Sequence, residues 1–134
     1  MEGEKIILIE DDVFIHALYT ETLKSAGYNV VSALDGQAGL ELIKKNTDAK
    51  LILLDIMLPK LNGIDVLREI KKDPTTKNMS VIILTNLSDD AIIKDALKLG
   101  ANAYLVKVDY TPQQVIEMVN QYIELRMHLK KQES

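Results

Sequence analysis

Several residues able to do chemistry stand at the ends of short apolar runs. Glu10 and Asp11 follow KIILI, Asp55 follows LILL, Thr85 ends SVIILT and Lys107 closes AYLVK. An ionised carboxylate is poorly placed inside an apolar run. At the carboxyl end of a buried parallel strand it is well placed, because open α/β sheets build their sites there. Carboxylates gathered at one edge repel, raise one another's pKa and need a counter-charge. A hard divalent cation with oxygen ligands answers that need, and Mg²⁺ suits one or two carboxylates completed by waters and a phosphate. A carboxylate is also a nucleophile that can accept a phosphoryl group as an acyl phosphate. The phosphoryl oxygens then require neutralisation, from Lys107, the metal and a hydroxyl such as that of Thr85.

The elements that must position these residues follow from the patterning. Apolar runs over Lys5 to Glu10, Tyr28 to Ala33, Lys50 to Asp55, Ser80 to Thr85 and Ala103 to Lys107 predict five strands. Between them lie helical stretches. In the first, Asp12 is the expected cap, and Ile15, Leu18, Thr22, Leu23 and Ala26 recur at helical spacing before Gly27. Gln37 to Lys45 is a weaker helix, because its interior Gly39 costs about 1 kcal/mol relative to alanine. Ile64, Leu67 and Ile70 mark a third, ended by Asp73-Pro74. Ser88 or Asp89 caps a fourth carrying Ile92, Ile93, Ala96 and Leu97, closed by Gly100. A long last helix starts at Pro112 and runs to about Lys131, with a frayed tail from Lys130 to Ser134. Strands that alternate with helices and are apolar throughout predict a parallel sheet covered on both faces.

Composition bounds the reading further. The chain of 134 residues, 47% hydrophobic and 27% charged, fits one globular domain. A net charge of −4 argues against non-specific nucleic-acid binding and against an anionic membrane surface. With no cysteine, disulfides and thiolate metal sites are excluded. No apolar run approaches the roughly 18–20 residues of a membrane span, and the first residues lack the pattern of a secretory signal. A cytoplasmic location is therefore expected.

Taken in order, Glu10-Asp11, Asp55 followed by Pro59 and Gly63, Thr85, Tyr104 and Lys107 resemble the receiver domains of two-component response regulators, close to the single-domain chemotaxis type. The resemblance covers Lys5 to about Leu125, with residues 126–134 as a helical extension and tail of one domain. It implies a flavodoxin-like three-layer αβα fold with strand order 2-1-3-4-5 and five helices, an order for which a chemotaxis protein of this type is the standard example. It also implies a phosphorylation-dependent signalling switch rather than an enzyme, beyond Mg²⁺-dependent self-phosphorylation from a donor and self-dephosphorylation. Asp55 would be the phosphoacceptor, served by a histidine kinase or a histidine phosphotransfer protein. Asp11, Asp55 and the backbone carbonyl of Met57 would ligate Mg²⁺, with Glu10 acting through water. Lys107 and Thr85 would stabilise the phosphoryl group. Thr85 would swing toward it while Tyr104 repacks, a two-state element that presents a changed surface to a downstream target or output domain.

Two positions depart from the family pattern. Val108 stands where proline is usual after the lysine; a cis bond there would cost about 2.5–4 kcal/mol, so a trans bond or rearranged loop is expected. Asn86 stands after Thr85 where a small residue is usual, and would either narrow access or donate a hydrogen bond. In the last helix Val115, Met118, Tyr122, Leu125 and Leu129 form a heptad seam beside a second stripe, Ile116, Val119 and Ile123. The seam is a candidate homodimer or target-docking face. Asp12 reads as a cap, His16 as solvated surface, and His128 with Arg126, Lys130 and Lys131 as complements of the helix dipole. The alternative function is a pseudo-receiver that binds partners without phosphorylation. A haloacid-dehalogenase-type phosphatase would want an acid where Met57 stands, and a flavin site would want a phosphate loop where Glu10-Asp11 stand.

Overall fold

The structure is a computed structural model that describes residues 3–133, and side chains as far as His128. Strands β1 (Lys5–Ile9), β2 (Asn29–Ala33), β3 (Leu51–Leu54), β4 (Ser80–Thr85) and β5 (Ala103–Val106) alternate with helices α1 (Val13–Ser25), α2 (Gly36–Lys45), α3 (Gly63–Lys72), α4 (Asp90–Leu99) and α5 (Pro112–Glu133). The strands form one parallel sheet in the order β2-β1-β3-β4-β5. This is the flavodoxin-like αβα sandwich expected from the sequence.

Strand alternation, invisible in a uniformly apolar run, divides the core into two halves. Ile6 and Leu8, Leu51 and Leu53, and Ile82 and Leu84 pack with Tyr19 and Leu23 of α1 and with Val115, Ile116, Val119 and Ile123 of α5. Ile7 and Ile9, Ile52 and Leu54, and Val81 and Ile83 face α2, α3 and α4. The central strands are thus buried on both faces, as parallel strands in such sheets are. Gly39, the weak point of α2, is explained by this packing. A Cβ there would stand 2.6 Å from Cδ1 of Ile9, so the lost helix propensity allows α2 to lie close on β1.

The helix ends follow the predicted chemistry. Asp12 caps α1 by accepting from the N–H groups of Phe14 and Ile15. Asp89 rather than Ser88 caps α4, and Gly100 closes it in the left-handed region at φ 112°. Pro112 occupies the first position of α5.

Several helical faces are rotated from expectation. In α1, Leu18 is exposed and Tyr19 is buried, because both are apolar and only one turns toward the sheet. Leu97 of α4 is exposed, and Ala96 is that helix's one fully buried residue. In α5 the predicted seam splits. Val115 is buried with Ile116, Val119 and Ile123, Met118 and Tyr122 flank them, and Leu125 is exposed. The stripe thought secondary covers the sheet, and Leu129 lies outside the described side chains. The helix extends to Glu133, two residues past the expected end near Lys131; lysine, glutamine and glutamate all favour helix. Ser134 lies outside the described residues. Among the described residues, no helix is long and apolar enough to cross a membrane.

Candidate functional site

The carboxyl ends of β1, β3 and β4 and the turn after β5 surround a cleft of about 230 Å³ lined by Glu10, Asp11, Asp12, Ile15, Asp55, Met57, Asn86 and Lys107. Glu10, Asp11 and Asp55 each lie one or two positions past their strands. The parallel ladder holds them level: the Asp55 N–H donates to the Ile9 carbonyl at 3.1 Å, directly before Glu10. Two of the acids are buried, Glu10 at 2% and Asp55 at 4% exposure, while Asp11 is exposed at the mouth.

Lys107 neutralises the buried pair. Its Nζ donates to Oδ2 of Asp55 at 2.8 Å and forms an ion pair with Oε1 of Glu10. The remaining oxygens are held by backbone. Asp55 Oδ1 accepts from the Met57 N–H at 3.0 Å, and Glu10 Oε2 from the Asp12 N–H at 3.1 Å. Burial pushes the Glu10 carboxyl above the usual carboxylate range, against the hydrogen bonds from Lys107 and Asp12 that pull it down. Burial also works against the Lys107 ammonium, but Asp55 and Glu10 outweigh it and hold its pKa above that of an ordinary lysine.

The loop after β3 is packed against the acid it follows. Gly63, at the start of α3, runs so close that a Cβ would lie 2.1 Å from the Asp55 carbonyl oxygen. Its N–H donates to the Ile56 carbonyl at 2.9 Å, which folds the segment from Asp55 to Gly63 back on itself.

Ligand oxygens of Glu10, Asp11 and Asp55 all lie within 4.8 Å of one another. The set is all oxygen, contains the exposed Asp11, and opens onto a cleft with room for water. Those features fit a hard cation that keeps part of its hydration shell, as Mg²⁺ does. Asp12 is engaged in capping α1, as expected.

Thr85 and Tyr104 are placed differently from the cleft residues. Thr85 is fully buried at the end of β4 and does not line the cleft; its Oγ1 accepts from the Leu87 N–H at 3.4 Å. Tyr104 is half-buried, packed on the α2–α4 side, and its hydroxyl donates to the Leu87 carbonyl at 2.5 Å. Both residues therefore hold the same short loop. Asn86 does line the cleft, and its Oδ1 accepts from the Val108 N–H at 3.2 Å. The Lys107–Val108 bond is trans, and Lys107–Asp109 form a single 3₁₀ turn instead of extending β5. Ile15, an apolar position of the expected first helix, forms part of the cleft wall as well as packing on the core; its place in the first turn of α1, just past the acids, is the signal for that.

The response regulator receiver domain family matches residues 6–120. The chain is 30% identical to the chemotaxis protein CheY of Thermotoga maritima, over 88% of this chain and 96% of that one. It is 36% identical to a probable transcriptional regulator, ycf27, of Porphyridium aerugineum, over 86% of this chain and 46% of that one. The chain thus spans about half the length of such regulators. A receiver domain structure from Clostridium thermocellum superposes with a TM-score of 0.84 at 35% identity, covering 94% of this chain and 98% of that one. Fold, strand order and a family match across most of the length agree, and the chain belongs to the response regulator receiver domains.

Proposed function

We propose that Asp55 accepts a phosphoryl group from a phosphohistidine of a histidine kinase or histidine phosphotransfer protein. The observation that carries this reading is the buried Asp55 carboxylate, held by Lys107 at the floor of an open acidic cleft. In the transfer an Asp55 oxygen bonds to phosphorus as the phosphorus–nitrogen bond to the donor histidine breaks, and the imidazole leaves with the bonding pair. Lys107 remains beside the acceptor oxygen and neutralises charge on the phosphoryl oxygens. Asp11, Asp55, the Met57 backbone carbonyl and, through water, Glu10 would hold Mg²⁺, which when bound supplies further positive charge for those oxygens.

The signal then passes through the loop after β4. Thr85 exchanges its contact with the Leu87 N–H for one with a phosphoryl oxygen, and Tyr104 releases the Leu87 carbonyl and repacks. The altered α4–β5 surface is what a downstream protein or an output domain reads. The donor must cover the cleft, where Met57 of the wall is exposed, and Val13, Phe14 and Val108, each next in sequence to a wall residue, are exposed apolar side chains for that contact. A homodimer through α5 would rest on the exposed Leu125 and Met127, since the rest of the apolar arc covers the sheet. We place the protein in the cytoplasm, as one receiver domain without nucleic-acid contacts of its own.

Incubation with Mg²⁺ and a small acyl phosphate tests this reading by intact mass. One added phosphoryl group is expected in the wild type, none in Asp55→Asn and none with a chelator present. An unmodified wild type with no measurable Mg²⁺ binding would make the protein an interaction module that works without phosphorylation.

A further inference from the structure

The two positions that depart from the family pattern meet each other. Asn86 Oδ1 accepts from the backbone N–H of Val108. Val108 lies in the first turn of a short helical segment, where backbone N–H groups have no partner within the helix. A proline at 108 has no N–H to give, so this link exists only because the usual residue is absent. The link also fixes the orientation of the Asn86 amide. An N–H can only donate, so the carbonyl end must face Val108 and the Nδ2 end must point away from it. Asn86 is at the same time part of the cleft wall, beside Asp55 and Lys107.

We infer that Asn86 has two jobs at this site. Its Oδ1 anchors the turn that begins at Lys107, doing by a hydrogen bond what a proline ring does by stiffness. Its Nδ2, oriented by that anchor, donates to an oxygen of the phosphoryl group on Asp55 and covers it against water. The inference rests on Asp55 being the acceptor. Loss of the phosphoryl group occurs when a water oxygen bonds to phosphorus as the Asp55 oxygen–phosphorus bond breaks. The carboxylate leaves with the bonding pair, inorganic phosphate departs and the water proton goes to solvent. Asn86 slows that step by occupying the water's approach from the cleft.

Three readouts on wild type, Asn86→Ala and Asn86→Asp test this. The first is hydrogen exchange at the Val108 amide in the unmodified protein. Loss of one hydrogen bond predicts faster exchange by about 2- to 10-fold in Asn86→Ala, and near wild-type exchange in Asn86→Asp, whose carboxylate still accepts. The second is the lifetime of the phosphoryl group, followed by intact mass after the donor is removed. Opening that approach to water predicts a lifetime shorter by about tenfold in Asn86→Ala, a loss of about 1.4 kcal/mol of barrier. Asn86→Asp, which keeps the anchor but turns a negative charge toward the phosphoryl group, is expected to take up phosphate more slowly than Asn86→Ala. Unchanged Val108 exchange in Asn86→Ala overturns the anchor, and an unchanged lifetime overturns the shielding role even if exchange rises. Asn86→Asp taking up phosphate as fast as Asn86→Ala also contradicts it. If the wild type takes no phosphoryl group, the acceptor assignment fails first and this inference falls with it. Failure of this inference alone would show a normally modified wild type.

Discussion

Lys107→Met is expected to destabilise the protein by roughly 3–5 kcal/mol at neutral pH, the cost of leaving a buried charge without its partner. Methionine keeps most of the apolar stem, so the loss isolates the ammonium. Glu10 and Asp55 are then two buried carboxylates facing each other with only backbone N–H groups to hold them. The penalty carries a pH signature whose sign follows from Glu10. Burial already lifts its folded-state pKa above the ordinary value, and Lys107 is the main force opposing that lift. Without Lys107 the pKa rises further above that of the unfolded chain. A carboxyl raised on folding costs nothing below its unfolded pKa and costs more as pH climbs through its folded one. Lys107→Met is therefore expected to approach wild-type stability in mild acid and to fall away from it toward neutrality. Urea unfolding across that range reads the difference, and an equal deficit at all pH values would contradict it. Uptake of a phosphoryl group from a small donor is expected to fall by about 10²–10³, as when one preorganised charge-stabilising donor is removed.

Gly63→Ala is expected to be nearly as damaging, for a steric reason. An added Cβ would lie 2.1 Å from the Asp55 carbonyl oxygen and 2.6 Å from the Ile56 Cα. Both obstacles are backbone, so no side chain can swing aside. At an unconstrained first-turn position the same change would stabilise by about 0.4–1 kcal/mol through the unfolded chain. Here the collision should reverse the sign and cost at least the roughly 1–3 kcal/mol of an overpacked core. The strain is delivered to the peptide that carries the acceptor. Phosphoryl uptake should therefore drop in molecules that remain folded, which separates this change from ordinary destabilisation elsewhere. Thermal unfolding and initial phosphorylation rates measured together decide the point. A variant as stable and as fast as wild type would show that the segment from Asp55 to Gly63 is looser than its geometry.

Much of this arrangement is legible in the sequence because it depends on strand ends. A uniformly apolar strand followed by an acid tells both where the strand is buried and where it stops, which is why Glu10, Asp11, Asp55 and Lys107 were placed together. Asp12 and Asp89 were readable as caps because an Asp before an apolar-periodic stretch has one favourable task. What was not readable depends on rotation. In α1, Leu18 and Tyr19 are adjacent apolar residues, and periodicity alone does not say which turns inward. In α5 two apolar stripes lie side by side, and only packing on the sheet face formed by β1, β3, β4 and β5 selects Ile116, Val119 and Ile123 over Leu125. The link between Asn86 and Val108 was hidden for another reason. Each position was visible as a departure, but a side chain pairing with a backbone N–H 22 residues away leaves no periodic trace.

Asp55 is the proposed phosphoryl acceptor, and borohydride reduction identifies the phosphorylated residue chemically. Protein treated with Mg²⁺ and an acyl phosphate, then reduced, converts an aspartyl phosphate to homoserine, which peptide mapping locates. Homoserine at position 55, and at no other acid in the cleft, is the result predicted. Homoserine at Glu10's neighbour Asp11, or no homoserine in a chain that gained phosphate, would contradict it.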